Sequence, residues 1–266
     1  MPQRLRILRG NGGMRPDPPP ADTMARLRKW GYAPGGYMSD CHKCGKTNMS
    51  EEVTIGDCRM IFGDCREVLP TLPMVDLVLT DPPYGLGKRM QGGTWGGAQK
   101  YKDLVIWDSR PADDLLLVLA KRAKKAVFWG GNYFALPPSR CWLVWDKQNA
   151  VQTMADCEMA WTNLDANTKR ISLPVGIHAS GHPSEKPVRL MEWSIRTVRA
   201  SGHVLDPFAG SGTTGVACAR MGLQFTGIER ERKYFDIACE RIDNAYRQGQ
   251  MFPSGPIHKQ EQGALI

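Results

Sequence analysis

Two apolar runs in this 266-residue chain each stop at an Asp-Pro pair. Val75–Thr80 ends at Asp81-Pro82-Pro83-Tyr84, and Val204-Leu205 ends at Asp206-Pro207, followed by Phe208-Ala209-Gly210-Ser211-Gly212-Thr213-Thr214. A short apolar run closed by a turn is the pattern of a strand covered on both faces, as in a parallel sheet flanked by helices. The runs Val53–Ile55, Cys58–Phe62, Ala126–Trp129, Trp142–Trp145, Glu158–Trp161 and Gln224–Ile228 read as further strands. Gly63-Asp64 is expected to end one strand and begin a helix running to about Leu69. Leu115–Lys121, Pro187–Arg199, Gly212–Met221 and Glu231–Tyr246 read as helices, the first with Ser109 or Asp108 as its cap and Pro111 near its first turn. Strands alternating with helices predict an α/β fold with an open, doubly wound, mostly parallel sheet.

The chain carries a net charge of +8, which favours a polyanionic partner. Residues 1–50 hold nine Lys and Arg against three acids, so +6 of that charge lies there. Pro16, Pro18, Pro19 and Pro20 favour an extended chain, and this basic segment is expected to be mobile. A single domain is placed at 51–248, and the tail 249–266 has no periodicity. No run of about eighteen apolar residues predicts a transmembrane helix, and no apolar signal core follows the basic start, so a cytoplasmic protein is expected. Cys58, Cys65, Cys141, Cys157, Cys218 and Cys239 are spaced as reduced, buried thiols rather than a disulfide framework. Cys41 and Cys44 form one CxxC pair. A structural zinc site commonly has two such pairs, so no metal is expected.

The turn at Gly210-Ser211-Gly212 joins a strand to a helix and lets a ligand approach the backbone closely. Gly210, Gly212 and Gly215 also fit GxGxxG, so the glycines alone leave a dinucleotide open. Glu229 closes the next strand, where a carboxylate can accept from the hydroxyls of a ribose.

Asp81-Pro82-Pro83-Tyr84 suits a narrower chemistry. The exocyclic amine of a nucleobase is a poor nucleophile because its lone pair is delocalised into the ring. An Asp81 carboxylate oxygen and the Pro82 carbonyl can each accept one of its protons, which localises the lone pair for in-line attack. The two prolines stiffen the turn, and Tyr84 offers a face for an extruded base.

With these residues in hand, the chain resembles the amino-methyltransferases of DNA, in their permuted beta-type branch. The family motif (D/N/S)PP(Y/F/W) is matched by Asp81–Tyr84, and DPFxGxGTT by Asp206–Thr214. HPxxKP stands as His182-Pro183-Ser184-Glu185-Lys186-Pro187. The resemblance spans roughly Val53 to Tyr246 and displaces the dinucleotide reading. It implies a Rossmann-like methyltransferase sheet with circularly permuted motif order, and S-adenosylmethionine as cofactor. It further implies that Phe208, Gly210, Gly212 and Thr213 line the cofactor's methionine portion, that Asp206, Ala209 and Ser211 belong to the same cofactor site, and that Glu229 holds its ribose. Asp64 and Cys65 would lie at its adenine, and His182, Ser184 and Lys186 would close over its amino-acid end. DPPY leans towards adenine N6, with cytosine N4 as the alternative.

A target base inside duplex DNA must be flipped out. The glycine-rich stretch Gly85–Asp103 is expected to be a mobile loop in which Lys88, Arg89, Gln91, Trp95, Lys100 and Tyr101 meet DNA. Residues 162–181, polar and irregular, fall where this branch places target recognition, with Asn167, Lys169 and Arg170 as DNA contacts. So short a reader suggests a homodimer on double-stranded DNA. A DNA-binding protein with an inactive methyltransferase fold is the competing reading from another class. Whether the enzyme has a partner restriction nuclease or stands alone is open.

Overall fold

Every buried strand of the sheet owes its place to an apolar run that the chain could not leave in water. The computed structural model describes residues 51–85, 109–148, 155–175 and 185–251. Nine strands form one sheet: β1 (Glu52–Ile55), β2 (Cys58–Phe62), β3 (Val75–Thr80), β4 (Ala123–Trp129), β5 (Trp142–Asp146), β6 (Cys157–Thr162), β7 (Lys169–Ser172), β8 (His203–Asp206) and β9 (Gln224–Glu229). Their spatial order is β1-β2-β9-β8-β3-β4-β6-β5-β7. β2, β9, β8, β3 and β4 run parallel to one another. β1 and β6 are antiparallel to their neighbours, and β7 is parallel to β5. The mostly parallel sheet expected from the sequence is therefore present.

Among the described residues five α-helices accompany it: α1 (Cys65–Val68), α2 (Asp113–Lys121), α3 (Val188–Thr197), α4 (Thr213–Met221) and α5 (Arg232–Met251). From β3 the chain passes through α2 to β4 on one side. From β8 it passes through α4 to β9 on the other. Right-handed crossovers in opposite directions put their helices on opposite faces of the sheet. Side-chain alternation agrees with this. Leu77, Leu79, Val127 and Trp129 pack with Leu190, Ile195, Val216, Phe235 and Ile242 of α3, α4 and α5. Leu115, Leu116 and Leu119 of α2 are buried outside that cluster. The strand order reverses between β8 and β3, the place where open α/β sheets bind ligands beyond their strand ends.

Several expectations need correction. Residues 162–181 are not wholly irregular, because β7 pairs with β5 from Leu143–Lys169 to Asp146–Ser172. Its sequence, Lys-Arg-Ile-Ser, is too polar to announce a strand, and backbone pairing supplies the order instead. Ser109 does not cap α2. The N-cap position is Ala112 and has no side-chain bond, while Asp113 and Asp114 place negative charge in the first turn, where the helix dipole favours it. The last helix runs past Gly249 to Met251; a Cβ at Gly249 would meet nothing within 4 Å, so the helix continues without packing there. Cys157 is exposed, unlike Cys58, Cys65, Cys141 and Cys218, which are buried. Among the described residues no helix is long and apolar enough to cross a membrane.

Candidate active site

The two Asp-Pro turns meet at the switch point. β3 and β8 pair in parallel, Leu77 with Val204 and Val78 with Leu205, so both strands deliver their carboxyl ends to one edge. Thr80 Oγ1 donates to Asp206 Oδ1 at 2.6 Å, Thr214 Oγ1 donates to Oδ2 at 2.7 Å, and the Phe208 N–H donates to Oδ1 at 3.1 Å. Asp206 is buried, and burial pushes its carboxyl up to about 6 against those three donors. It shapes the glycine turn from beneath and joins it to the strand carrying Asp81.

The glycine turn follows from what surrounds it. Gly212 adopts φ 78° as it enters α4, and a Cβ there would lie 2.8 Å from the Ala238 side chain. Glu229, at the end of β9, accepts the Gly210 N–H on Oε2 and the Glu231 N–H on Oε1, both at 2.8 Å. Burial raises its pKa despite these bonds. Next to β9, the end of β2 presents Asp64 and Cys65, with Gly63 N–H bonded to the Glu229 carbonyl at 3.0 Å. Asp64 caps α1 through the Arg66 N–H at 2.9 Å, and the Arg66 guanidinium beside it lowers its pKa. Asp64, Cys65, Glu229 and the turn Asp206–Thr213 are thus collected on three adjacent strand ends.

At Asp81 the carboxylate is held on both oxygens. Tyr84 Oη donates to Oδ1, and Lys186 Nζ donates to Oδ2 at 2.7 Å. Lys186 also lies 3.1 Å from Glu158 Oε2, and Lys147 Nζ lies 2.7 Å from Glu158 Oε1. Asp81, Lys186, Glu158 and Lys147 form a chain of alternating charge, with the Lys186 side chain only 6% exposed. Burial raises the pKa of Asp81, opposed by Lys186. Burial acts the same way on Glu158, but Lys186 and Lys147 outweigh it and its pKa falls. Lys186 is held protonated: burial would lower its pKa, and the two carboxylates more than reverse that.

Residues 138–240 match the DNA methylase family of the N6/N4 type. Over 220 residues the chain is 30% identical to "Putative methylase YubD" of Escherichia coli (strain K12), an alignment covering 72% of this chain and 94% of that protein. The chain belongs to the N6/N4 DNA methylase family. The methylase is also 28% identical over 246 residues to the type II methyltransferase M.HinfI of Haemophilus influenzae, covering 69% of this chain and 67% of the relative. The solved M1.HpyAVI–SAM complex is similar at 23% identity and a TM-score of 0.47, covering 70% of this chain and 99% of that one.

Lys186 of the methylase has a partner that the sequence did not announce. It reaches Asp81, and its Nζ stands 5.6 Å from the centroid of the Tyr84 ring. The tie to the glycine turn comes from Arg241, unforeseen in the sequence. Its Nη1 donates to the Ser211 carbonyl and Oγ, both at 2.7 Å, and its Nη2 pairs with Glu185. A cavity of about 410 Å³ lined by Glu185, Lys186, Val216, Arg220, Arg241 and Gln248 adjoins this bridge and, among the described residues, shares Lys186 alone with the expected cofactor set.

Asn167, Lys169 and Arg170 are exposed, but the structure does not bring them to Asp81. β7 runs parallel to β5, so its first residues lie at the amino ends of the parallel strands, opposite the edge that carries Asp81. The expected contacts Lys88, Arg89, Gln91, Trp95, Lys100 and Tyr101, the cofactor residues His182 and Ser184, and Cys41 and Cys44 lie outside the described residues. Sequence reasoning missed Glu158, Lys147, Arg241 and Tyr133. The one visible signal was a lone carboxylate at the head of an apolar run, Glu158-Met159-Ala160-Trp161.

Proposed function

We propose that this methylase transfers a methyl group from S-adenosylmethionine to N6 of an adenine flipped out of duplex DNA. The observation that carries the reading is the junction of the two turns: Asp81 follows Thr80, and Thr80 is bonded to Asp206 at the root of the glycine turn. An amine acceptor and a nucleoside cradle therefore share one strand edge.

The residues present suit the cofactor. Glu229 uses its oxygens for backbone N–H groups, yet a carboxylate offers about four acceptor sites, which leaves capacity for the two hydroxyls of a ribose. Gly210 and Gly212 keep the turn free of side chains. Bound there, S-adenosylmethionine supplies an electrophilic sulfonium methyl. Asp81 and the Pro82 carbonyl accept the amine protons, Pro83 stiffens the turn between them and Tyr84, and Tyr84 supports the base. Lys186 opposes the effect of burial on Asp81 and so favours the ionised carboxylate, which accepts rather than donates.

Adenine rather than cytosine is read from Asp-Pro-Pro-Tyr, and the short segment 162–181 supports two subunits on one DNA site. The test is methylation in cells expressing the wild type or Asp81→Ala, read by single-molecule sequencing. Modified adenines at one short motif, absent with Asp81→Ala, are expected. Modified cytosines would transfer the same mechanism to N4. Unmodified DNA alongside folded protein that binds S-adenosylmethionine would remove the reading.

A further inference from the structure

Tyr133 is one of two large apolar side chains that stand exposed among the described residues, at 41%. Unlike Met74, the other, it is not idle. Its ring stacks on the Tyr84 ring with centroids 4.7 Å apart and planes 22° from parallel. Two separate constraints put it there. Gly130 adopts φ 68° at the end of β4 and turns the chain into the single 3-10 turn Gly131–Tyr133. Arg110 then donates to the Tyr133 carbonyl from Nη2 at 3.0 Å, with its guanidinium 4.8 Å from the Phe134 ring centroid. Gly130 also lies against Tyr84, since a Cβ on it would fall 2.0 Å from Tyr84 Cε1. The tyrosine of the Asp-Pro-Pro-Tyr turn is thus hemmed by Gly130 and roofed by Tyr133, and its hydroxyl is spent on Asp81.

A ring left in water next to an acceptor for base amines is an unusual expense unless something replaces the water. A nucleobase is flat, has two faces, and must lie over Tyr84 to bring its amine to Asp81. Tyr133 already occupies that stacking position. Aromatic stacks are sequence-tolerant, because every base has a π-face. We infer that Tyr133 is a second stacking wall of the base pocket: in the free protein it holds the base's place on Tyr84, and in the complex it covers the outer face of the flipped base. This rests on the proposed methylation of flipped DNA bases and adds a residue that no motif of the chain marks. The base enters by parting the two rings, so the pocket closes on a planar guest from both sides.

The test uses the full-length protein and two duplexes carrying the mapped recognition site, one with 2-aminopurine at the methylated position for the emission and one with adenine there for kcat/KM. The variants are Tyr133→Ala and Tyr133→Phe. Wild type is expected to raise 2-aminopurine emission only partly, because a flipped base between two rings stays quenched. Tyr133→Ala is expected to raise it further and to lower kcat/KM for DNA by about tenfold, the factor for one lost base–aromatic stack. Tyr133→Phe is expected to match wild type in both. S-adenosylmethionine binding and the melting temperature should be unchanged in Tyr133→Phe and Tyr133→Ala, which separates stacking from folding. Wild-type emission and kcat/KM in a folded Tyr133→Ala protein would overturn the role of Tyr133 while leaving methylation intact. Absence of methylation by the wild type would overturn the reading beneath it as well.

Discussion

Lys186 donates to Asp81 at 2.7 Å across 105 residues of sequence, and it is one of the few buried cations among the described residues. The ammonium lies between two carboxylates that would otherwise repel each other, so removing it alters how Asp81 titrates. Burial already raises the Asp81 pKa, and Lys186 is the main force holding it down. Asp81 must be ionised to accept an amine proton, so activity falls as pH drops through its pKa. In Lys186→Met that pKa rises, and the acid limb of the kcat profile is expected to move to higher pH. An acid limb unmoved in a folded, active Lys186→Met protein would show that Lys186 does not govern Asp81.

Glu158 anchors the far side of Lys186 and is itself held by Lys147. Glu158→Gln leaves Lys186 with Asp81 alone and takes from Lys147 the carboxylate it pairs with. Breaking a buried pair by removing one partner costs about 3–5 kcal/mol. About a fifth of the Glu158 side chain is exposed, so the lower end is expected. Chemical denaturation of Glu158→Gln beside the double variant Glu158→Gln/Lys147→Met measures it. The double variant should recover part of the loss; equal stability of the two would contradict the coupling.

Gly130 permits the approach of the Tyr84 ring. In Gly130→Ala the new methyl group would overlap Tyr84 Cε1 at 2.0 Å, on a backbone at φ 68°. Left-handed backbone strain alone costs about 1–3 kcal/mol. A melting temperature lowered accordingly, and methylation reduced by more than the residual folded fraction explains, are expected. Activity that merely tracks the folded fraction would mean that Tyr84 tolerates the displacement.

Asp206 gives the fold a pH signature. Its carboxyl titrates near 6 in the folded protein against 3.8 for an ordinary aspartate. A group whose folded pKa is raised stabilises the fold below its unfolded pKa and loses that contribution as pH rises through the folded one. Between about pH 4 and pH 6 the wild type should therefore lose up to about 3 kcal/mol from this residue. In Asp206→Asn that slope should flatten. Melting curves across the range decide it, and a slope equal to wild type would place the buried proton elsewhere.

Much of this architecture could be read from the chain because its strands are apolar runs of the right length. Val75–Thr80 was bounded to the residue, and Cys58–Phe62 likewise. β7 was illegible for the opposite reason: of its four residues only Ile171 is apolar, and the pairing that orders it comes from β5. At the site, the two Asp-Pro turns were visible because each breaks a buried strand. The landing of Lys186 on Asp81 was not, because their meeting needs the fold as a whole. The Lys147–Glu158 pair follows from the β5–β6 register, which sets Trp145 opposite Glu158. Neither residue alone advertises a partner.

The four charges Asp81, Lys186, Glu158 and Lys147 sum to zero within a few ångströms of one another. At separations beyond about 8–10 Å, the screening length of physiological salt, such a set projects almost no field. It can neither draw in a phosphate backbone nor repel a cationic sulfonium. Attraction of the polyanion is left to the rest of the surface, where dissolved salt weakens it, while the quartet is largely shielded from that salt by the protein around it. Capture and chemistry therefore answer to different conditions: ionic strength should set how readily DNA is held, and should leave the turnover of DNA already held nearly untouched.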